Sequence, residues 1–174
     1  MDIDELISIV TLKKLEDNKF EGQNYKTVWG RIFGGQVLSQ SLHAAYQTVP
    51  ENRIAHSMHA YFILPGDLNE PVIYEVDNIR NGGSFTTRRV VAFQKGRAIF
   101  NMAASFQKDE EGFDHQIQMP NVLSPDLLLT DFEQAEKFKE ELAERYQIFL
   151  AAHPKVFDFK PVGTNIFLRK ENAL

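Results

Sequence analysis

An α+β fold, with a curved antiparallel sheet wrapped around one long central helix, is predicted by three observations. Residues 36–49 carry apolar side chains at helical spacing. Four long runs of β-type sequence follow, separated by turn signals. Before residue 120 the helix over 36–49 is the one candidate for the sheet to wrap.

Gly34 and Gly35 precede the helix and let the backbone turn. From Gln36, the residues Val37, Leu38, Leu42, Ala45 and Val49 form one apolar stripe, and Pro50 closes the run. Upstream, residues 4–15 read as a short helix or extended lead-in. Asp17-Asn18 is a turn between Leu12–Leu15 and Lys19–Gly22, which makes an edge hairpin.

The first long strand is Arg53 to Leu64. Strict alternation puts Ile54, His56, Met58, Ala60, Phe62 and Leu64 on one face and Ser57, His59 and Tyr61 on the other. Pro65-Gly66-Asp67 breaks it. Val72–Arg80, Ser84–Gln94 and Arg97–Gln107 are the next strands, with turns at Asn81-Gly82-Gly83 and Lys95-Gly96. The last places Ala98, Phe100, Met102, Ala104 and Phe106 together. Strands of this length joined by tight turns predict a strongly curved meander. A meander wrapped around one helix is the hot-dog fold.

Past Pro120 the pattern changes. Asp131 to Ala152 reads as an amphipathic helix with Phe132, Ala135, Phe138, Leu142, Tyr146 and Phe149 as its stripe, followed by a β-like run from Val156 to Arg169. The expected organisation is a hot-dog domain over residues 1–120, a linker with the amphipathic helix over 121–155, and the first strand of a second hot-dog domain over 156–174.

The chain has 174 residues, of which 43% are hydrophobic, enough for one sizeable core. A net charge of −5 without a basic stripe argues against nucleic acid as a partner. The absence of cysteine excludes disulfides, thiolate metal sites and a cysteine nucleophile. The acidic N-terminus does not read as a secretory signal, and no apolar run approaches the ~18 residues of a membrane span. A cytoplasmic protein, not bound to membrane, is expected.

Three blocks carry a resemblance. Arg31-Ile-Phe-Gly-Gly-Gln-Val, Ala55-His-Ser-Met-His-Ala-Tyr-Phe with Pro65-Gly-Asp, and Arg80-Asn-Gly-Gly-Ser-Phe-Thr-Thr-Arg-Arg-Val, joined by Met102-Ala-Ala-Ser-Phe-Gln, resemble the acyl-CoA thioesterase II family in order and spacing. Members of that family hold two hot-dog domains in one chain. The resemblance implies that this sequence carries the first of them, the connecting helix and the start of the second. It implies hydrolysis of fatty acyl-CoA to free acid and coenzyme A without a metal or redox cofactor. The family's catalytic Asp, Thr or Ser, and Gln lie in the second domain, on positions this sequence does not contain.

Thioester hydrolysis needs a base for water, donors for the oxyanion and a slot for the acyl chain. Backbone N–H groups at Gly35 and Gln36, at the helix start, are the candidate oxyanion donors; close packing is the alternative use of the glycines. The helix from Gln36 to Thr48 carries no Asp or Glu. His56, on an apolar strand face, is then the candidate acid–base group, with a satisfied core histidine as the alternative. His59, three residues on, falls on the opposite face, so the two cannot clamp a metal, and no metal site is expected. Ser84 follows two glycines without a nucleophile elbow or phosphate loop around it, and reads as a hairpin turn. Arg80 and Arg88 are candidate ligands for the phosphates of coenzyme A, with Arg88 and Arg89 on opposite sides of their strand.

Two further readings stand beside the thioesterase half: a non-catalytic acyl-CoA-binding or dimerisation module, and a homodimeric hot-dog hydratase or dehydratase. In each, an open sheet edge and apolar surface predict a homo-oligomer or pairing with a second hot-dog domain.

Overall fold

The computed structural model describes residues 2–27, 30–137 and 156–163. The chain divides into two compact units, one over Asp4–Gly112 and one built from Met1–Ile3 with Phe113–Leu174. The first holds the sheet and its helix.

Its elements run α1 (Ile3–Val10), β1 (Lys13–Glu16), β2 (Lys19–Gly22), α2 (Gly34–Tyr46), β3 (Ile54–Phe62), β4 (Val72–Asn81), β5 (Phe85–Gln94) and β6 (Arg97–Gln107). The six strands form one sheet in the order β1-β2-β4-β5-β6-β3, every neighbouring pair antiparallel. The expected hairpin around Asp17-Asn18 is present, with Asn18 at φ 62°. The β5–β6 turn uses Lys95 and Gly96 at φ 49° and 72°, the two positive values a tight two-residue hairpin demands.

The four long strands are not a simple meander. Only β4, β5 and β6 follow one another in space; β3 crosses over to the far side of β6 and becomes an edge. α2 spans the inner face, and its position explains the core: Val37, Ala44 and Ala45 meet Tyr74, Val76, Val90, Met102, Ala104 and Phe106, all buried. At about 25 cal/mol per Å² of apolar area, this face is the main stabilising contribution of the unit.

α2 begins two residues earlier than predicted. Gly34 and Gly35 lie inside its first turn rather than in a loop ahead of it, and neither has positive φ. What they supply is space, since a Cβ on Gly34 would sit 2.9 Å from the Phe62 ring and one on Gly35 2.4 Å from the Phe33 ring.

In the second unit the described part of the amphipathic helix is α3 (Asp131–Lys137). Thr130 and Glu133 close a reciprocal capping box at its start: the Glu133 carboxylate accepts from Thr130 N–H at 2.7 Å, and Thr130 Oγ1 accepts from Glu133 N–H at 3.1 Å. The continuation of the predicted helix to Ala152, and the predicted strand from residue 164 onward, lie outside the described residues. Residues 156–163, at the start of that predicted strand, contain no strand. Among the described residues no helix is long and apolar enough to cross a membrane.

Candidate functional site

A cleft of about 470 Å³ opens where the first turn of α2 meets the end of β3. Its walls are Phe33, Gly34 and Val37 from the helix side, Phe62 to Gly66 from the end of β3 and the loop after it, and Ile99 and Phe100 from β6. Arg31 at the rim is the one charged residue lining it among the described residues. No Asp or Glu does so among the described residues.

Each wall has a local cause. Phe33 is the residue before the helix, in extended conformation with no side-chain cap, and its carbonyl accepts from Gln36 N–H at 3.0 Å and Val37 N–H at 3.4 Å. Ile63 and Leu64 both donate to the Ile99 carbonyl, at 2.9 and 3.1 Å, which folds the strand end over β6. The Phe62 ring then lies 5.0 Å from that of Phe100. Opposite, Gly66 accepts from Ile32 N–H at 3.2 Å, and a Cβ there would be 2.6 Å from Ile32 Cδ1.

The loop after β3 is stitched by amides. Gln94 accepts from Asp67 N–H and donates to the carbonyls of Asp67 and Glu70, while Asn24 donates to Asp67, Leu68 and Glu70. Lys95 Nζ adds ion pairs to Asp67 at 3.2 Å and Glu70 at 3.3 Å. The Asp67 carboxyl is held below its ordinary pKa, first by the Asn69 backbone N–H and then by Lys95; Lys95 is raised in turn by Asp67 and Glu70. Gln36 anchors the other end, donating to Asn24 Oδ1 at 3.0 Å and the Gln23 carbonyl at 3.1 Å, and accepting from Tyr25 N–H at 3.0 Å.

The predicted site residues separate. Gly35 and Gln36 lie at the start of α2, beside the cleft. Gly35 N–H stands among the first N–H groups of the helix, which have no acceptor within it. Gln36 N–H is taken by Phe33, and the Gln36 side chain is committed to the 23–25 segment. Arg88 is at the other end, past the last turn of α2, roughly 20 Å away by the rise of thirteen helical residues. It is 1% exposed, and its five N–H donors go to Thr48 Oγ1 and carbonyl, Arg80 carbonyl, Thr87 carbonyl and Asn81 Oδ1. That set of partners makes Arg88 an internal clamp, with no donor left over for a phosphate. Arg80 is exposed on the neighbouring strand, and Arg89, on the outer face as expected, pairs with Asp77 at 2.9 Å.

His56 is on the other side of the sheet from the helix. The register of β3 against β6 shifts between Ala55 and Ser57, so His56 is the extra residue of a bulge. From there Met58, Ala60 and Phe62 pair with the buried Ala104, Met102 and Phe100, whereas His56 Nε2 sits 2.8 Å from Ser105 Oγ on the outer face and its ring meets Phe85. The expectation that His56 shares the Met58–Phe62 face is therefore corrected; His59 lies with Ser57 and Tyr61 as expected, and so on the same outer face as His56 rather than opposite it. Among the described residues no group of three or more His, Cys, Asp and Glu could hold a metal.

Sequence reasoning missed Arg53. It is buried at the foot of β3 and donates to the carbonyls of Gly82, Gly83 and Ser84, holding the β4–β5 turn. It missed the polar seam of α2 as well. Gln40 donates to the carbonyls of Ile9 at 2.6 Å and Gln23 at 2.9 Å and accepts from Tyr74 Oη at 2.6 Å. The only signal was two glutamines four residues apart on a helix expected to be buried.

Residues 24–107 match the model of the acyl-CoA thioesterase N-terminal domain. Acyl-CoA thioesterase 2 of Haemophilus influenzae is 41% identical over 142 residues, which are 82% of this chain and 50% of that one. Human acyl-coenzyme A thioesterase 8 is 37% identical over 162 residues, 90% of this chain and 51% of that one. The crystal structure of the acyl-CoA thioesterase II TesB2 from Mycobacterium marinum superposes with a TM-score of 0.64 at 42% identity, over 76% of this chain and 48% of that one. The chain thus spans about half the length of the curated relatives it matches. Residues 24–107, which hold α2 with its Gly34-Gly35-Gln36 start and the antiparallel strands β3 to β6, are thus matched as an acyl-CoA thioesterase N-terminal domain with the hot-dog fold.

Proposed function

We propose that this chain acts in the hydrolysis of fatty acyl-CoA to free fatty acid and coenzyme A, as the half of the enzyme that supplies the acyl slot. The observation that carries the reading is the cleft at the start of α2: apolar walls, a guanidinium at the rim, and helix N–H groups beside it. An apolar tail with an anionic head has that pattern of needs. Water attacks the thioester carbonyl, the C–S bond breaks, and the proton returns to the thiolate of coenzyme A. Gly35 N–H is the donor we assign to the developing oxyanion, and Arg31 and Arg80 are the cations available to the phosphates. No metal or redox group is called for, because the reaction requires only water, a base and donors.

The base is expected from a second hot-dog domain, since no carboxylate lines the cleft among the described residues. We assign that partner, or a second copy of this chain, to the open edge of β3, where Ile54, Met58 and Tyr61 are exposed. His56 with Ser105, on the outer face, is retained as a secondary acid–base candidate. A cytoplasmic place in fatty acid metabolism fits this chemistry.

The lack of a carboxylate favours a second reading, in which the chain binds acyl-CoA without cleaving it. Thiol release from octanoyl-CoA, with calorimetry of a thioether analogue on the same sample, separates the two. Release at an enzyme-like rate supports hydrolysis by this chain; binding without release supports the half-enzyme or module; no binding refutes both.

A further inference from the structure

The walls of the cleft differ in how they are held. The loop wall is fixed: Asp67 to Glu70 share six hydrogen bonds with the Asn24 and Gln94 side chains, five accepted by loop carbonyls and one donated by Asp67 N–H. Ile32, 7% exposed, is seated on Gly66. The floor is fixed as well, with Ile99 and Phe100 at 5% and 1% exposure inside the core. Phe33 and Phe62 are different. They are 55% and 63% exposed, have no polar atom to tie them, and each ring rests on a glycine of the first turn of α2. A phenyl ring on such a seat can swing away through its χ angles without disturbing the core.

We propose that Phe33 and Phe62 form an aromatic gate over this cleft and set which acyl chains it admits. The inference rests on the acyl-CoA reading above and adds the specificity-determining residues. With the loop and floor immobile, the length and bulk of the tail that reaches Ile99 depend on where the two rings stand. The paired glycines are the device that makes room for them: a side chain at residue 34 or 35 would occupy the ring's place. The Phe62 ring also lies tilted at 58° against that of Phe100, so the closed position gains an aromatic contact that an entering chain must replace.

The test is calorimetric titration of butanoyl-, octanoyl-, dodecanoyl- and hexadecanoyl-CoA, each as its hydrolysis-resistant thioether, against wild type, Phe62→Ala, Phe33→Ala and Gly34→Ala. Both rings are largely exposed, so the alanine variants keep the fold, and thermal melts check that they do. Removing the Phe62 ring is expected to raise affinity for the longest chain relative to the shortest by about tenfold, the scale of one exposed ring's apolar contact. Gly34→Ala, which keeps the ring and takes its seat, should move the profile in the same direction, an outcome that loss of ring packing alone would not produce. An unchanged chain-length profile, or an equal loss at every length, overturns the gate while leaving the acyl-CoA reading in place. Failure of wild type to bind any of the four removes the reading and the gate with it.

Discussion

Arg88 donates from Nε to Thr48 Oγ1 and from Nη2 to the Thr48 carbonyl, both at 2.8 Å, and so ties the middle of β5 to the chain just past the end of α2. A guanidinium here serves two purposes. It satisfies the Thr48 carbonyl just past the helix end, and it places a positive charge where the helix dipole is negative. Replacement by Ala strands five acceptors around a buried void, and replacement by Lys offers one ammonium where a planar fork is needed. Both variants should lose about 2–4 kcal/mol of stability in a urea titration. A variant as stable as wild type would show that the clamp carries little.

The three glycines around the cleft predict a contrast. At Gly66 a Cβ would fall 2.6, 3.0 and 3.2 Å from Cδ1, Cγ1 and Cβ of Ile32, a buried side chain that cannot retreat. Gly66→Ala should therefore cost about 1–3 kcal/mol through overpacking. At Gly35 the three atoms nearest the Cβ all belong to the Phe33 ring, which is exposed, while alanine is the better helix former by about 1 kcal/mol. Gly35→Ala should leave the melting midpoint nearly unchanged or raise it. Equal losses at both positions would mean that the Phe33 ring is held more firmly than its exposure indicates.

These contrasts show where the sequence was readable. The spacing of Val37, Leu38, Leu42 and Ala45 was enough to find α2, and turn residues at Asp17-Asn18 and Lys95-Gly96 were enough to place two hairpins. What period-two counting could not carry was the bulge after Ala55, because an extra residue leaves composition and hydrophobicity untouched while reversing the face of His56. Nor could it distinguish Arg88 from Arg89. Alternation puts them on opposite faces, but only the position of Thr48 and Asn81 in space makes the inner one a clamp. Turn signals do not specify which strands pair, so the crossover of β3 to β6 was also hidden.

The loop wall of the cleft should depend on pH in a defined window. Asp67 has its pKa lowered, so its contribution is present above the ordinary value of 3.8 and is lost as pH falls through the folded-state value beneath it. Lys95 has its pKa raised, so its contribution is complete below 10.5 and is lost as pH rises through the higher folded-state value. Amide exchange at residues 67–70, corrected for intrinsic rate, should stay slow between those limits and quicken below the acidic one. Asp67→Asn should remove the acid-side change and keep the Gln94 and Asn24 bonds. Acid-side quickening that survives this substitution would assign the effect to another group.

The seam between α2 and β4 offers a test in which two substitutions should not add. Burial pushes the Tyr74 phenol far above its ordinary pKa, so it remains a donor to Gln40 Oε1 at any working pH. Tyr74→Phe leaves that oxygen with the longer bond from Gln36 Nε2 at 3.4 Å, at a cost of about 1–3 kcal/mol. Gln40→Leu does more. It also orphans the carbonyl of Ile9, while that of Gln23 keeps its bond from Gln36 Nε2 at 3.1 Å, and leaves His43 Nδ1, which donates to Val10 at 2.8 Å, as the remaining side-chain tie between α2 and the end of α1. Since α1 buries no residue of its own, Gln40→Leu should expose Ile3–Val10 to limited proteolysis, and Tyr74→Phe should not. The double variant removes both partners of the Tyr74–Gln40 bond and should cost about 1 kcal/mol less than the sum of the singles. Strict additivity, or proteolysis of α1 in both single variants, would mean that the phenol holds α1 by a route other than Gln40.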